Sequence, residues 1–444
     1  MPKILAFLFA FIALPAAALA QDEPPPLQVD VIGGRDGPTP VAVPSMPTQR
    51  VAQTSAGNTA ALGRNVADVI ASDLRRTGAV TPLGPVGIRG LEFSEVRAPA
   101  YDEWRNMGAS ALVSGSVDVD GSGRLIVACY LFDTITRREL IRQGFAVQPD
   151  DWRRAAHKCA DVIYTRLTGE GAYLDTRVVY VAETGPKNNR IKRIAIMDSD
   201  GSNHRYLTEG TETVLTPRFS PDGSQLVYMS YKGRRPRVYK LDLASGRSEL
   251  LVPGTAFTFA PRYSPDGRNI VFSMGTYGNS DIYVVPSSGG TPRRLTDSPG
   301  VDTSPSFSPD GRRIVFESDR SGSQQLYIMN ADGGNQRRIS FGGGQYASPV
   351  WSPRGDLIAF TRIGGGQFRI GVMDPSGRGE QLLTSAWQDE GPSWAPNGQF
   401  VMFHRTAQGS GDATLYAVPV TGGRPQRMPT PLGGSDPSWS PLQN

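Results

Sequence analysis

The sequence predicts a mainly β protein, in which a small α/β domain precedes a C-terminal six-bladed β-propeller with four-stranded blades and end-to-end strand closure. Three observations predict this fold. A short motif recurs about every 44 residues, each repeat contains four β-type runs, and the two ends of the repeat region hold complementary, incomplete sets of strands. The 51 glycines and 36 prolines among 444 residues suit many short strands joined by turns.

The repeated motif is Ser-Pro-Asp-Gly, which forms a tight turn because proline presets φ and glycine accepts a positive φ. Its full, degraded and partial copies begin at Ser220, Ser264, Ser308, Ser352, Ala395 and Ser440. An aromatic residue precedes each copy, and β-rich runs such as Ile314-Val315-Phe316 follow it. Because Asp222, Asp266 and Asp310 recur once per repeat, we interpret them as turn residues and not as catalytic acids.

The ends of the repeat region give the number of blades. Arg177 begins a set of runs that match strands two, three and four of a blade, without strand one. The C-terminal run Asp436–Ser440 matches the missing strand. Pairing the two ends completes a sixth blade and removes an open sheet edge that would invite aggregation. The sequence therefore predicts a propeller over residues 177–444.

The chain begins with the features of a signal peptide, which we assign to residues 1–20. Lys3 supplies a positive charge, Ile4–Leu14 is apolar but short for a membrane span, and Ala18-Leu19-Ala20 fits a cleavage site. This segment predicts export of a soluble protein. We expect residues 21–47 to form an extended N-terminal segment, with an alternating strand at Leu27–Val31 and a proline-rich loop from residue 33 to 47.

Residues 48–170 have the pattern of a small α/β domain. The apolar spacing predicts a helix over Asn58–Thr77, a short helix containing Trp104, and a third helix from about Asp150 to Leu167. A hairpin is predicted between them, with strands over residues 111–117 and 125–131.

The chain has two cysteines, Cys129 on a predicted strand and Cys159 on a predicted helix. In an oxidising compartment they can form one disulfide across a sheet–helix interface. The alternative is two buried reduced thiols that act as small apolar side chains. The sequence leaves both open.

Composition and motifs argue against several functions. A net charge of +4 is too weak and too dispersed to indicate nucleic-acid binding. We find no G-x-S-x-G elbow, no phosphate-binding P-loop and no H-E-x-x-H motif. Two cysteines and three separated histidines do not make a zinc site. The sequence therefore predicts a non-enzymatic binding scaffold without cofactor or metal. The alternatives are a periplasmic propeller hydrolase or lyase, or a ligand sensor, using the central channel.

The order of these parts resembles the TolB family of the Tol–Pal cell-envelope system. The resemblance covers nearly the whole mature chain. It is carried by the Leu27–Val31 strand, the Trp104–Ala109 turn, the Trp152 helix that ends at Leu167-Thr168-Gly169, Arg177–Val181 and the propeller.

The resemblance implies a periplasmic adaptor, a monomer that reaches the outer membrane only through its partner Pal, a peptidoglycan-associated lipoprotein. It implies a second partner, TolA, and a role in outer-membrane constriction during division and in envelope integrity. It places TolA on the N-terminal segment, at Leu27, Val29 and Val31. It places Pal on loops just before strand one, opposite the Pro-Asp-Gly turns, at Phe257, Thr258, Ala260, Asp302, Thr303 and Ser304. Phe257 and Ser304 stand where the family often has a histidine and an acid.

Overall fold

The computed structural model describes residues 37–276 and 278–443. It confirms the predicted fold class, with a small α/β domain followed by six four-stranded antiparallel sheets. The signal peptide and the predicted Leu27–Val31 strand lie outside the described residues.

The helices of the α/β domain follow their predicted bounds closely. Helix α1 is Thr59–Thr77, helix α2 is Tyr101–Asn106 and helix α3 is Trp152–Thr168. The Asn58 side chain caps α1 by accepting a hydrogen bond from the Ala61 N–H, and Gly78 ends it with a φ of 71°. Short 3₁₀ turns occur at Phe93–Glu95, Pro149–Asp151, Lys187–Asn189 and Lys232–Arg234.

The sheet of the α/β domain contains strands that the sequence pattern did not indicate. Its five strands, in spatial order, are Val80–Leu83, Thr39–Ala42, Ala111–Val119, Leu125–Asp133 and Arg138–Val147. A separate two-stranded ribbon pairs Gln53–Thr54 with Gly57–Asn58.

The strand Thr39–Ala42 corrects the expectation of a loop over residues 33–47 and of a domain that starts at residue 48. It pairs in parallel with strands on both sides and is therefore internal to the sheet. The sequence pattern did not predict this strand because it contains Pro40, and proline normally argues against an internal strand.

Helices α1 and α3 pack against the sheet and enclose its main core. The structure joins Cys129 of the strand Leu125–Asp133 to Cys159 of α3 by a disulfide, with the two Cα atoms 5.9 Å apart. Both residues are fully buried, so this link lies inside the sheet–helix interface.

The propeller blades repeat one four-stranded pattern. Blade 1 is Gly433–Trp439, Arg177–Thr184, Ile191–Asp198 and Arg205–Tyr206, and blade 2 is Val214–Phe219, Gln225–Ser230, Arg237–Asp242 and Ser248–Leu250. Blade 3 is Phe257–Tyr263, Asn269–Thr276, Asn279–Pro286 and Arg293–Arg294, and blade 4 is Asp302–Phe307, Arg313–Ser318, Gln325–Asn330 and Arg337–Arg338. Blade 5 is Gln345–Trp351, Ile358–Gly364, Gln367–Met373 and Gln381–Leu382, and blade 6 is Asp389–Trp394, Phe400–Thr406, Ala413–Pro419 and Gln426–Arg427. The first strand of each set is the inner strand, which lines the channel.

Strand closure occurs as predicted in blade 1. The C-terminal strand Gly433–Trp439 pairs antiparallel with Arg177–Thr184, and Trp439 lies opposite Val178. The second strand of each blade also buries one aromatic side chain, which packs the blades together. These residues are Tyr180, Tyr228, Phe272, Phe316, Phe360 and Phe403.

The two ends of the channel differ. We call the end with the Pro-Asp-Gly turns the turn end, and the opposite end, where the fourth strand of one blade connects to the inner strand of the next, the loop end. Hydrogen bonds from the preceding serine hydroxyls hold the turn aspartates, in agreement with a turn role. Ser220 donates to Asp222 at 2.5 Å, and this bond lowers the pKa of the carboxyl.

The α/β domain contacts blades 1 and 6 on the side of the turn end. Asp161 of α3 accepts hydrogen bonds from three successive linker N–H groups, starting at Tyr173, each at 2.8 Å. The Tyr173 ring stacks on Phe400 of blade 6 with centroids 4.9 Å apart. Arg76 of α1 donates to the Ser199 carbonyl of blade 1 at 2.5 Å. The loop end therefore stays uncovered by this domain.

Candidate functional site at the loop end of the propeller

The predicted Pal-contact residues lie at the loop end, but the structure corrects their local setting. They belong to the first halves of the inner strands Phe257–Tyr263 and Asp302–Phe307, and not to loops before strand one. The proline that follows Ala260 and Ser304 suggested a loop in the sequence. In the structure, each proline instead follows a bulge inside the strand.

This bulge is repeated in all six inner strands. The residue before the proline has a positive φ in each: Thr216 (49°), Ala260 (49°), Ser304 (53°), Ser348 (51°), Gly391 (65°) and Asp436 (51°). The strand pairing shifts register at the same place in every blade. A left-handed residue in a bulge bends the strand and alters the direction of its side chain. The six bulges thus form a ring around the channel.

The ring of bulges also has a signal in the sequence. Prolines 217, 261, 305, 349, 392 and 437 recur at intervals of 43 to 45 residues, in step with the Ser-Pro-Asp-Gly turns. A proline inside a strand, repeated once per blade, is typical of a bulge.

Two of the six predicted contact residues turn away from solvent. Asp302 is fully buried and pairs with Arg320 at 2.5 Å. The Thr258 hydroxyl oxygen is buried and accepts a hydrogen bond from the Val238 N–H of blade 2 at 2.9 Å. These side chains are therefore built into the blades, where they support the loop end and are not available for direct contact. The pattern before a proline could not reveal this burial.

The buried ion pair of blade 4 has a counterpart in blade 6. Asp389 occupies the same inner-strand position as Asp302 and is bidentately bonded to Arg405, at 2.6 and 2.9 Å. The Arg405 guanidinium also lies over the Tyr416 ring, 4.6 Å from its centroid. The repeated device anchors the start of the inner strand to its own blade.

A buried acid links blades 4 and 5 at the bulges. Glu317 accepts a hydrogen bond from the Ser348 N–H at 2.6 Å. Burial raises the pKa of Glu317 to about 7, although bonds from Ser348 and from the Ser304 hydroxyl oppose the shift. The buried carboxylate of Glu317 therefore orients Ser304, which is one of the predicted contact residues.

Four predicted contact residues remain accessible at the loop end: Phe257, Ala260, Thr303 and Ser304 are each partly exposed. Exposed apolar side chains also lie on several connecting loops of this end. Phe341 is 71% exposed and Trp387 is 46% exposed, and Tyr231 and Leu432 are also exposed. Exposed aromatic residues are enriched at protein-binding surfaces.

The loop end is also basic on one side. The connection and strand start in blade 2 carry Lys232, Arg234, Arg235 and Arg237. This charge would favour approach of a partner with an acidic surface.

The predicted TolA contacts, Leu27, Val29 and Val31, lie outside the described residues. Among the helices that the structure does describe, none is both long and apolar enough to cross a membrane.

Sequence reasoning also missed one polar cluster at the contact between the two domains. His157 of α3 lies with Asp198 and Asp200 of blade 1, and their potential metal-ligand atoms are within 4.8 Å of one another. His157 Nδ1 is 2.6 Å from Asp73. Burial lowers the pKa of His157, but the carboxylates of Asp73 and Asp200 outweigh it and raise the pKa overall. His157 Nε2 also lies 3.7 Å from Asp200, so the cluster links α1, α3 and blade 1, and we assign it to the domain contact.

Comparison with known proteins agrees with both parts of the fold. The family description "TolB amino-terminal domain" matches residues 27–140, and "TolB beta propeller domain" matches residues 164–443. The chain is 64% identical over 416 residues to the Tol-Pal system protein TolB of Zymomonas mobilis, covering 94% of this chain and 91% of that protein. It is 64% identical over 433 residues to the Tol-Pal system protein TolB of Rhizorhabdus wittichii, covering 98% and 97%.

A solved structure gives the same result. The crystal structure of TolB from Acinetobacter baumannii superposes with a TM-score of 0.79 at 26% identity, covering 92% of this chain and 97% of that one. The matched family descriptions span most of the sequence, and the similar curated proteins span nearly all of it. The chain therefore belongs to the TolB family of the Tol–Pal system, a family of non-enzymatic cell-envelope proteins.

Proposed function

We propose that this chain is a periplasmic adaptor that binds Pal at the loop end of the propeller and TolA through the N-terminal segment. In this proposal it supports outer-membrane constriction during division and envelope integrity. It acts as a monomer and reaches the outer membrane only through Pal. The observation that carries the proposal is the ring of accessible inner-strand residues, bordered by exposed Phe341 and Trp387, at the end that the α/β domain leaves open.

The chemistry of the loop end favours binding over catalysis. Asp302 and Asp389 are held in ion pairs, and Glu317 is bonded to backbone, so these acids are already engaged. The Nδ1 of His404, on the second strand of blade 6, accepts a hydrogen bond from the Asp436 N–H at 3.4 Å and is also engaged within the fold.

The exposed aromatic residues should dominate Pal affinity. We expect Trp387→Ala and Phe341→Ala each to weaken binding of a soluble Pal domain by about tenfold or more, because truncating an aromatic anchor in an interface commonly costs at least 2 kcal/mol. Isothermal titration calorimetry measures this directly. Ile135→Ala, an exposed apolar residue on the α/β domain, is the matched control and should bind Pal like the parent. Unchanged Pal affinity in both aromatic variants would place Pal elsewhere.

The N-terminal segment is tested by deletion. We expect removal of Gln21–Ile32 to abolish TolA binding, because it removes the proposed TolA contacts. Pal binding should stay intact or become stronger, because a segment that couples two partners changes the affinity for each by typically 1–3 kcal/mol. Pull-down with TolA and calorimetry with Pal measure the two effects.

Deletion of Gln21–Pro26 alone keeps Leu27, Val29 and Val31 and serves as the control. It should retain TolA, which would use the segment as an added strand. TolA capture by the longer deletion would contradict this assignment while leaving the Pal proposal standing.

A further inference from the structure

The channel holds a cavity at its turn end, away from the loop end discussed above. Its volume is about 400 Å³, and residues of all six blades line it. The lining comes from the second halves of the inner strands and from the serine–proline steps that follow them. A cavity of this size is large enough for a small molecule.

The charge of this cavity is of one sign. Arg218 of blade 2 and Arg262 of blade 3 are the only charged residues in its described lining, which contains no carboxylate. The two arginines occupy equivalent positions on neighbouring inner strands, each one residue after the proline of the bulge. Both side chains line the same cavity, and the charge of Arg218 acts on Arg262.

The two arginines differ in their partners. Arg218 is buried and donates to backbone carbonyls of Pro217, Asp436 and Pro437, at 2.8, 3.3 and 3.4 Å. Arg262 is partly buried, and among the described residues it has neither a hydrogen-bond acceptor nor an acidic partner. Burial lowers the pKa of Arg262, and the charge of Arg218 lowers it further. An arginine stays charged even so, and this charge has no anionic partner in the described lining.

Serine hydroxyls continue the same ring of positions. Ser306, Ser393 and Ser438 replace arginine in three other blades and line the cavity. The Ser306 oxygen accepts from the Trp351 N–H at 3.2 Å, and the Ser393 oxygen accepts from the Trp439 N–H at 3.0 Å. The Ser306 and Ser393 oxygens are used as acceptors, so their hydroxyl hydrogens remain available as donors. The ring thus presents donors and positive charge together.

We propose that this cavity binds a small oxyanion, a phosphate or a carboxylate group, between the guanidinium groups of Arg218 and Arg262. The planar fork of Arg262 meets two oxygens of the anion, and the serine hydroxyls donate to the others. Guanidinium groups favour both kinds of oxyanion because each offers two oxygens at the spacing of the fork. The anion supplies the negative charge that the cavity lining lacks.

The test is calorimetric titration of the full chain with inorganic phosphate and, separately, with citrate, at an ionic strength held constant with sodium chloride. We expect saturable binding at one site for at least one of the two anions. Binding of phosphate alone identifies a phosphate site, and binding of citrate alone identifies a carboxylate site. Failure of the parent protein to bind either anion in the millimolar range overturns the proposal.

Variants locate the site. Arg262→Gln should weaken binding by about tenfold or more, because it removes charge-assisted hydrogen bonds. Arg268→Gln is the control, since this side chain is 85% exposed on the turn at the same end of the channel. It should bind the anion like the parent. Equal affinity in Arg262→Gln and the parent, or equal loss in both variants, would overturn the assignment.

Thermal unfolding supplies a second readout. In chloride buffer without added oxyanion, Arg262→Gln should melt at a higher temperature than the parent, because it removes a partly buried cation that the charge of Arg218 disfavours. Adding the bound anion should raise the melting temperature of the parent and not that of the variant. A lower melting temperature for Arg262→Gln in chloride would mean that the protein already compensates this charge, which contradicts the proposal.

Discussion

Deleting residues 436–444 should abolish cooperative folding of the propeller. The deletion removes most of the inner strand of blade 1, including Trp439 and its pairing opposite Val178. The second strand of that blade, Arg177–Thr184, would become an open edge with unpaired backbone groups, and open edges promote aggregation. We expect the truncated chain to lose its sharp thermal transition and to become sensitive to protease.

The magnitude follows from the contacts that the deleted strand makes. Trp439 is buried, its ring lies 5.9 Å from that of Tyr173, and its indole N–H donates to the Thr176 hydroxyl at 2.9 Å. Removing one such tryptophan side chain typically costs about 3–5 kcal/mol. The deletion also removes the backbone hydrogen bonds from the Ser440 N–H to the Arg177 carbonyl and from the Gln443 N–H to the Asp175 carbonyl. Since a domain is stable by only about 5–15 kcal/mol, the loss should exceed what the propeller can tolerate.

Deletion of residues 441–444 is the control for this experiment. It keeps the whole strand Gly433–Trp439; among the described residues it loses the hydrogen bonds from the Gln443 N–H to the Asp175 carbonyl and from the Ser440 hydroxyl to the Pro441 carbonyl. It should melt close to the parent. If the longer deletion also unfolded in a single transition near the parental temperature, closure by the C-terminal strand would not be required for the fold.

The second large effect is expected at the loop end, where Asp302→Ala should destabilise the protein by about 3 kcal/mol. The change leaves the largely buried guanidinium of Arg320 without its carboxylate, and breaking a buried pair from one side commonly costs this much or more. Arg320 keeps a hydrogen bond to Gln336 at 2.6 Å and its contact with the Tyr327 ring, which limits the loss. Chemical denaturation measures the free energy of unfolding.

Asp389→Ala and Thr303→Ala separate a supporting role for Asp302 from a contact role. Asp389 makes the equivalent ion pair in blade 6, so Asp389→Ala should cause a similar loss of stability. Thr303 is partly exposed, and its hydroxyl oxygen accepts a long hydrogen bond from Ser273 at 3.2 Å, so Thr303→Ala should change stability little. If Asp302→Ala weakened Pal binding far more than Asp389→Ala at equal stability, Asp302 would be a contact residue after all.

Much of the fold could be read from the sequence because its signals are local and repeated. The Ser-Pro-Asp-Gly turns recur in step with the blades, and Trp439 completes the aromatic series that precedes them. Helix α1 was predicted closely because Asn58 and Gly78 mark its ends with side-chain and backbone chemistry that does not depend on distant residues. The strand Thr39–Ala42 was missed because its partners come from residues 80–83 and 111–112, far along the chain.

The functional surfaces depended on the tertiary structure. The sequence by itself determined six blades and the strand that closes them, and the family resemblance placed the predicted Pal contacts opposite the Pro-Asp-Gly turns. Only the folded chain decided that Thr258 and Asp302 point into the blades while Thr303 and Ser304 stay accessible. It also brought Arg218 and Arg262 to one cavity without a carboxylate. The physical reason is that strand spacing sets which residues share a blade position, whereas burial and charge balance depend on neighbouring blades that meet only when the ring closes.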